Sequence, residues 1–588
     1  MTQELSLKSL INKLLIPEQD LPRLSFCQST KAASIFDWIH SLPLTQADEV
    51  SAIFYTALPE LSRVKANWEL RLSMLETVRT PLHHCMEGLS KRFLNQPLIM
   101  PESAVKTATI AQALQKHLLN AYLVVIRDLC NNPKDKEHHL ALAIYRALTC
   151  AGYLSLRSYQ LYLPPAEYLW QTVHTLFLIA EHLDILDESC ADPLLTQTHH
   201  SNPTYAYIRI LLIAAARPNQ LRQEEIQQVF NLLENLSTLV NIHPLDLTKS
   251  ENVLITLTQS DIPPLFISKA KQSDLNLDGA YELGCTALIQ RLKELSELNT
   301  EETQDKKFTL SVINHLQTAW KQQTQRSFNR QVTRLNIEVL VGITNIHFHL
   351  SGQLPFQVFL QQENTPAGKN DASPAFAKRG VQLKSSQESD PWDDPFDIAG
   401  TDQNSSLLTT SSIEQRIRQQ TLEQYQGQHL VYSVPLIDKS PGGFGLEWHG
   451  EIPLQVKAGE LLALKENNRP NWILGVIRWA HQIKGATQLG VQILSPKVTP
   501  VGIALIHRTG GFTEYLRGLQ IPELRTINQP TSLITNAVTF HENSKVKLFT
   551  PDKNQQPSTT NIQLSKRIFS TGAFNQFGYR SLTSSNEA

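Results

Sequence analysis

The spacing of apolar residues changes once along this chain of 588 residues, and that change constrains the fold more than any other feature. Up to about residue 325 apolar residues recur at helical spacing, as in the run YIRILLIAAARPNQLRQEEIQQVFNLLENL that begins at Tyr207. Near Arg334 the spacing becomes the alternation of a β-strand, carried by Leu335, Ile337, Val339, Val341 and Ile343. The pattern predicts a multidomain α+β protein whose N-terminal domain, residues 1–325, is all-α.

Prolines interrupt the helical pattern, because a proline inside a helix removes a backbone hydrogen bond. The breaks divide the N-terminal domain into about ten predicted helices, and they lie at Pro81, Pro133, Pro164 and Pro218. The sequence shows no self-similarity at the periods of helical repeat families. A helical bundle or an irregular superhelix is therefore expected.

Six short strand patterns begin where the period changes, and they are expected to close one small β-barrel over residues 326–500. After the run near Arg334 come LVYSVPLID, FGLEW, ELLALK, WILGVIRWAHQ and QLGVQIL, separated by Gly, Asn and Pro turns. A stretch from about residue 361 to 412, rich in Ser, Asp, Asn, Gln, Pro and Gly, interrupts them. It cannot bury enough apolar surface to fold and is predicted to be a disordered insertion.

A second small β-barrel-like domain is predicted over residues 501–588, with a short disordered tail. Its strand patterns lie between about residues 521 and 580 and read PTSLIT, KVKLFT, TNIQLSKRIF and GAFNQFGYR. The pattern fits either a barrel or a sandwich.

Two groups of polar residues lie at the ends of the predicted strands of the first barrel. The first group contains three arginines, four residues apart, that lead into the first strand: Arg326, Arg330 and Arg334. The second group lies in IDKSPGGFG, between the second and third strands: Asp438, Ser440 and Gly443. Either pattern alone carries little information, but their shared position at strand ends favours a common site.

Together the two groups resemble the paired signature of PilZ domains, R-x-x-x-R followed after one strand by [D/N]-x-S-x-x-G. The strands GVIRW and QLGVQIL are similar to later PilZ strands, so the resemblance covers roughly residues 326–500. It implies a PilZ-like barrel that binds the bacterial second messenger cyclic-di-GMP. About seventy residues separate the strands of the two motifs, where PilZ domains usually have a short loop, but loop-closure entropy grows only logarithmically with length.

The two motifs supply groups that suit a ligand with two phosphates and two guanines. The guanidinium groups of Arg330 and Arg334 can bridge phosphate oxygens or the acceptor edge of guanine, and they can stack on a base. Arg326 would add a further contact. These arginines are the first half of the ligand-binding set that the resemblance implies.

The second motif supplies a hydrogen-bond acceptor, a hydrogen-bond donor and room for the ligand. Asp438 can accept hydrogen bonds from guanine N–H groups, and the Ser440 hydroxyl can donate one. Gly443 has no Cβ, so ligand and backbone could approach closely there.

The same residues allow a structural interpretation. Three arginines at this spacing can form a solvated stripe on a helix, and DKSPGG can be a simple turn. The chain would then be a non-enzymatic scaffold or adaptor with a vestigial ligand site. An enzyme in the helical half is a third alternative, but no acid, base or nucleophile set is evident there.

No catalytic function, cofactor or metal is expected. The sequence lacks the G-x-x-x-x-G-K-[ST] phosphate loop, the G-x-S-x-G nucleophile elbow, and the G-G-D-E-F and E-A-L signatures of enzymes that make or break cyclic-di-GMP. His347 and His349 lie two apart on a predicted strand, and hence on one face, but no third metal ligand is evident nearby. The chain is therefore predicted to be a receptor for the signal.

Composition restricts the location and the partners. A formal net charge of −2 provides no general attraction for a nucleic-acid polymer. No stretch reaches the roughly 18 apolar residues of a membrane span, and the N-terminus does not read as a signal peptide. The six cysteines are widely spaced and are predicted to be reduced core thiols. We expect a cytoplasmic protein, without membrane insertion, that relays cyclic-di-GMP to an unidentified protein partner, such as a component of the pilus or flagellar machinery.

Overall fold

The computed structural model describes residues 6–131, 133, 136–246, 248, 253–298, 310–321, 330–361, 429–466, 469–483, 485–507, 511–523, 530–551 and 557–582. Of the predicted disordered insertion, residues 361–412, all but Gln361 lies outside the described residues. Arg326 and the predicted C-terminal tail beyond residue 582 also lie outside them.

The N-terminal region is mainly helical, as predicted. Its described residues form α1 Leu7–Ile11, α2 Ala32–His40, α3 Ala47–Arg63, α4 Trp68–Phe93, α5 Glu102–Cys130, α6 Glu137–Gln160, α7 Leu169–His182, α8 Pro203–Ala215, α9 Gln223–Leu236, α10 Ile267–Gln272, α11 Thr286–Leu298 and α12 Leu310–Lys321. Helix α4 continues through Pro81, contrary to the prediction. Val78 and Leu82 are fully buried beside that proline, so core packing compensates for the lost backbone hydrogen bond.

Two small sheets also lie in the N-terminal region, and the sequence analysis did not predict them. Strands β1 Cys190–Ala191 and β2 His200–Ser201 pair with each other, and a four-stranded sheet has the order β3-β6-β4-β5. Its strands are β3 Asn241–Pro244, β4 Leu254–Leu257, β5 Leu265–Phe266 and β6 Ala280–Gly284. All four residues of β4 are buried, so this strand lacks the alternation that identifies a half-buried strand.

The first barrel is closed, antiparallel and six-stranded, which confirms the prediction. Its order is β10-β11-β12-β9-β8-β7. The strands are β7 Gln331–Val341, β8 Tyr432–Ser440, β9 Gly443–His449, β10 Leu461–Glu466, β11 Ile473–Ile483 and β12 Ala486–Ser495. Alternate residues of these strands point into the barrel core, as Phe444, Leu446 and Trp448 do in β9.

Two helices follow β7 directly: α13 Gly342–Leu350 and α14 Phe356–Gln361. The strand predicted through Ile343, His347 and His349 therefore ends earlier, at Val341. Gly342 has φ +79°, a conformation that favours glycine and redirects the chain from strand to helix. Helix α13 lies between the barrels, where Ile346 shares an apolar cluster with residues of both.

The second barrel is also closed and six-stranded, and its order is β13-β14-β15-β18-β17-β16. Its strands are β13 Thr499–Leu505, β14 Leu516–Ile521, β15 Ser532–Asn536, β16 Lys545–Thr550, β17 Ser558–Ser570 and β18 Phe574–Ser581. The barrel thus begins about thirty residues before the first predicted strand pattern, PTSLIT, with β13 and β14. Taken in chain order, its strands pair in the same sequence as those of the first barrel.

Apolar clusters and polar contacts both connect the three regions. The backbone N–H of Gln482 in β11 donates to the carbonyl of Tyr162 at 3.1 Å, and Arg222 Nε donates to the Ala458 carbonyl at 3.1 Å. The Thr571 hydroxyl of the second barrel donates to the Gly459 carbonyl at 2.8 Å. The loop before β10 therefore contacts both the helical region and the second barrel.

All six cysteines are free thiols, and all except Cys27 are buried. Burial raises the pKa of these buried thiols, to about 11 for Cys85 and about 12 for Cys150. Within the part of the chain that the structure describes, no helix has the length and hydropathy to cross a membrane.

Candidate ligand site on the first barrel

The site is built on the hairpin of β8 and β9, which a two-residue turn connects at Pro441 and Gly442. Asp438 lies in β8 two residues before the end of that strand. Strand β7 pairs with β8 in antiparallel register, and Val332 is the partner of Asp438. This register brings the start of β7, and with it Arg330, to the end of β8.

Arg330 and Asp438 form an ion pair. Arg330 Nη1 lies 2.9 Å from Asp438 Oδ1 and 3.0 Å from Oδ2, and the side chains keep 32% and 21% of their exposure. No acceptor among the described residues bonds to Nη2 or Nε of Arg330. Ion pairs at this exposure contribute little to stability, so the two groups can exchange partners with a ligand at small cost.

Arg334 lies inside β7, although the sequence predicted it immediately before the first strand. The pairing of β7 with β8 shifts register between Val332 and Leu335, so Arg334 lies at an irregularity of the strand. Such irregularities re-aim side chains locally. The Arg334 side chain itself is not among the described parts of the structure.

Ser440 and Gly443 close the turn of the hairpin. The Ser440 hydroxyl donates to the Gly443 carbonyl across a long 3.4 Å. A Cβ at Gly443 would lie 2.2 Å from the Val491 carbonyl oxygen of β12. The close approach at this glycine is therefore with a neighbouring strand.

A row of residues crosses four strands on the outer face of the barrel. The Asp438 carboxylate lies over Gly445 of β9, where a Cβ would be 2.6 Å from Oδ1. Gly445 is the cross-strand partner of Gly490 in β12, which in turn pairs with Trp479 in β11. A Cβ at Gly490 would lie 2.0 Å from Trp479 Nε1, so the indole rests directly on that backbone.

Sequence analysis missed Gly445, Gly490 and Trp479. A signal was available, because alternation along β9 places Gly445 outward, on the side opposite Phe444 and Leu446. Only the register between the strands could place the two glycines side by side. The resulting platform has an ion pair at one end and an aromatic ring at the other.

A cavity of about 470 Å³ lies beside the hairpin turn, at the open end of the barrel. Lys439 and Arg469 line it, and both approach Glu466, at 3.5 Å and 3.9 Å. The cavity also borders Ser440 and Pro441. Cationic side chains therefore lie near the hairpin as well as on the platform.

The two histidines on α13 do not form a metal centre. His347 is buried between the rings of Phe356 and Phe359, and burial, with the nearby Arg517 cation, lowers its pKa to about 3. His349 Nε2 lies 3.2 Å from the His429 carbonyl. No cluster of three His, Cys, Asp or Glu side chains suited to a metal occurs in the described ranges.

Comparison with known proteins gives one consistent result. Three family models match the chain: the N-terminal domain of the cyclic-di-GMP receptor FimW over residues 33–246, its middle PilZ domain over 253–500, and its C-terminal β-barrel domain over 501–582. The curated protein "Cyclic-di-GMP receptor FimW" of Pseudomonas aeruginosa is 30% identical to this chain, in an alignment that covers 97% of this chain and 93% of that protein. The middle match includes both halves of the Arg330–Asp438 pair.

Proposed function

Since this chain belongs to the FimW family of cyclic-di-GMP receptors, we propose that it binds cyclic-di-GMP on the outer face of its first barrel. Binding there would be relayed to a protein partner that controls bacterial surface behaviour: motility, pili, adhesion or biofilm formation. The observation that carries the proposal is the Arg330–Asp438 pair at the junction of β7 and β8.

The pair offers both polarities that the ligand requires. Arg330 supplies cationic donors for a phosphate or for the acceptor edge of guanine. Asp438 accepts from the N–H edge of the same kind of base. In the ligand-free protein each group neutralises the other, so neither charge is left uncompensated before the ligand arrives.

The platform beside the pair suits a planar base. Gly445 and Gly490 allow the Asp438 carboxylate and the Trp479 indole to lie directly on the strands, and the half-buried indole offers a ring on which a base can stack. Base–aromatic contacts contribute about 1–3 kcal/mol each in nucleic-acid complexes. We therefore add Trp479 to the proposed ligand-binding set of Arg326, Arg330, Arg334, Asp438, Ser440 and Gly443.

The connections of the first barrel support a relay. Strand β7 begins beside Arg330 and runs without interruption into α13, whose Ile346 packs against residues of both barrels. A shift of β7 on ligand binding would thus be transmitted to the second barrel. The size of any such response is limited by the difference in ligand affinity between the two arrangements.

Calorimetric titration of the full chain tests binding. Cyclic-di-GMP is compared with cyclic-di-AMP and GTP on the native protein and on Arg330→Ala and Asp438→Ala. Arg580→Ala is the matched control, because Arg580 is an exposed arginine of the second barrel whose hydrogen-bond partner among the described residues is Gln563.

We expect selective binding of cyclic-di-GMP that both site variants lose and the control keeps. No binding by a folded, monodisperse sample would instead favour the scaffold function. The relay is tested separately, by surface attachment of cells that carry Arg330→Ala at normal protein abundance. Unchanged attachment would rule out the relay. The proposal that the native protein binds cyclic-di-GMP would still depend on the titration alone.

A further inference from the structure

A second cavity, of about 510 Å³, lies in the helical region between α4, α5, α6 and α9. It is separate from the barrel and has a mixed lining. Met86, Leu94 and Leu154 provide apolar walls, while Gln115 and Arg157 provide polar groups away from the mouth. Cavities of this size with a few convergent polar groups are typical of ligand sites.

Arg157 differs from the other arginines of the helical core. Arg79 and Arg209 bond to Asp192 and Glu234 respectively, and Arg71 donates to backbone carbonyls. Among the described residues, Arg157 donates a hydrogen bond to the neutral amide oxygen of Gln160 alone, at 2.8 Å, and its guanidinium lies over the Phe93 ring at 5.2 Å. No described carboxylate lies within 4 Å of it, and burial lowers its pKa to about 10.

Gln115 provides a second, independent observation. Its side chain is 5% exposed, and its Oε1 has no hydrogen-bond partner in the described structure. A buried acceptor without a donor is destabilising, so such groups are rare unless a further partner completes them. The cavity thus contains a half-buried cation without a carboxylate and a buried acceptor without an N–H.

The charge around the cavity limits the ligand. Arg157 and the exposed Lys91 contribute two positive charges, and Glu87 contributes one negative charge. Glu234 also lines the cavity, but it is neutralised by Arg209 at 3.1 Å. The net charge of about one favours a singly charged anion over a phosphate dianion.

We propose that this cavity binds a carboxylate next to an N–H group, as found at the C-terminal end of a peptide or in an acylated amino acid. The carboxylate would pair with Arg157, the N–H would donate to Gln115 Oε1, and an apolar side chain would contact Met86 and Leu154. Arginine pairs with carboxylates through its planar fork of donors.

Methyl NMR on the full chain provides a direct test. The sequence has four methionines, of which Met86 lines the cavity, while Met74 is buried in the core and serves as an internal control. The probes are N-acetyl-leucine and N-acetyl-Gly-Gly-Leu, each titrated beside its C-terminal amide. We expect a free-acid probe to shift the Met86 methyl signal and to leave Met74 unchanged.

Variants that remove a positive charge test which cation binds the carboxylate. Arg157→Gln should weaken binding of the free acid by about tenfold or more, and should leave binding of the amide unchanged. Lys91→Gln should weaken it less, because Lys91 lies at the exposed mouth. Lys116→Gln, which removes an exposed charge from α5 outside the cavity lining, should have no effect.

Every outcome bears on the proposal. Binding of the tripeptide alone identifies a polypeptide end as the source of the carboxylate, and binding of N-acetyl-leucine alone identifies a small acid. Equal affinity for acid and amide, a silent Met86 signal, or native affinity in a folded Arg157→Gln variant would overturn it.

Discussion

The two barrels have the same frame and different outer faces. Each closes six antiparallel strands in the same pairing order. Apolar residues inside the first barrel belong to the same cluster as the helical core, whereas the second barrel has a cluster of its own. In the first barrel, Arg330 lies immediately before the first strand and pairs with Asp438. In the second barrel the first strand, Thr499–Leu505, follows the last strand of the first barrel after three intervening residues and contains no arginine.

The candidate site therefore depends on particular side chains, and the barrel fold alone does not provide it. The first barrel joins its second and third strands through a two-residue turn, which holds Asp438 and Ser440 close to the start of β7. The second barrel joins β14 and β15 through the longer stretch between Ile521 and Ser532. In the second barrel, Arg567 of β17 lies over the Phe577 ring at 5.6 Å. The two barrels therefore share a strand order and differ in their charged side chains.

Removal of one positive charge should distinguish the two barrels most strongly. Arg330→Ala should weaken cyclic-di-GMP binding about 100-fold, because it removes charge-assisted hydrogen bonds and leaves Asp438 to repel the phosphates. Arg580→Ala, on the second barrel, should change affinity less than twofold. Competition titration measures both, and equal losses in the two variants would contradict a site confined to the first barrel.

The next effect concerns the junction between the barrels. His347 is held neutral there, with a pKa of about 3 in the folded protein against an ordinary value near 6.5. Since the unfolded state binds the proton more readily, stability is complete above pH 6.5 and is lost as the pH falls towards 3. At pH 5 the loss should reach about 2 kcal/mol.

Calorimetric thermal unfolding at pH 7 and pH 5 measures that loss. Other buried histidines, His174 and His315, also have pKa values lowered by burial, to about 4. His347→Phe keeps an aromatic ring beside Phe356 and Phe359 but cannot titrate. The variant should show a smaller pH dependence than the native protein, and an identical pH dependence would contradict the assignment.

A smaller effect tests the platform without altering charge. Gly490→Ala should weaken ligand binding about tenfold, since the new methyl group displaces the Trp479 indole. The matched change on the last strand of the second barrel is Gly578→Ala, whose Cβ meets only the movable Ser565 hydroxyl at 2.7 Å as its close neighbour. Tryptophan fluorescence and titration would follow both, and native affinity in Gly490→Ala would remove Trp479 from the site.

The smallest effect concerns the hairpin turn. Ser440→Ala removes one weak hydrogen bond to the Gly443 carbonyl and one proposed ligand donor, so affinity should fall about threefold. Ser544→Ala is the control in the second barrel, where Ser544 accepts from the His541 N–H at 3.2 Å. A loss of 100-fold in Ser440→Ala would mean that the hydroxyl has a larger role than this geometry supports.

The sequence predicted the first barrel well, because apolar residues alternate along β7, at Leu335, Ile337, Val339 and Val341, and because Gly, Asn and Pro separate the strand patterns. It placed His347 and His349 on a strand since Ile343 continues the alternation, whereas the turn at Gly342 depends on a backbone conformation that spacing does not reveal. Strand β4 was missed because both of its faces are buried.

The candidate site was also predicted only in part. Asp438 and Arg330 were identified because their motifs resemble the PilZ signature, and the register of β7 with β8 brings them together. Trp479, Gly445 and Gly490 form a row only through the pairing of β9, β12 and β11. Single-strand patterns carry no information on which residues become neighbours across a sheet.

Hydrogen exchange of the full chain, with and without saturating cyclic-di-GMP, would locate the ligand on one of the two barrels. We expect increased protection in the β8–β9 hairpin, Tyr432–His449, and at the start of β7. We expect no added protection in β16 of the second barrel, Lys545–Thr550, which lies outside the apolar cluster around Ile346. Protection confined to the second barrel, or none in the first at saturation, would contradict a site on the first barrel.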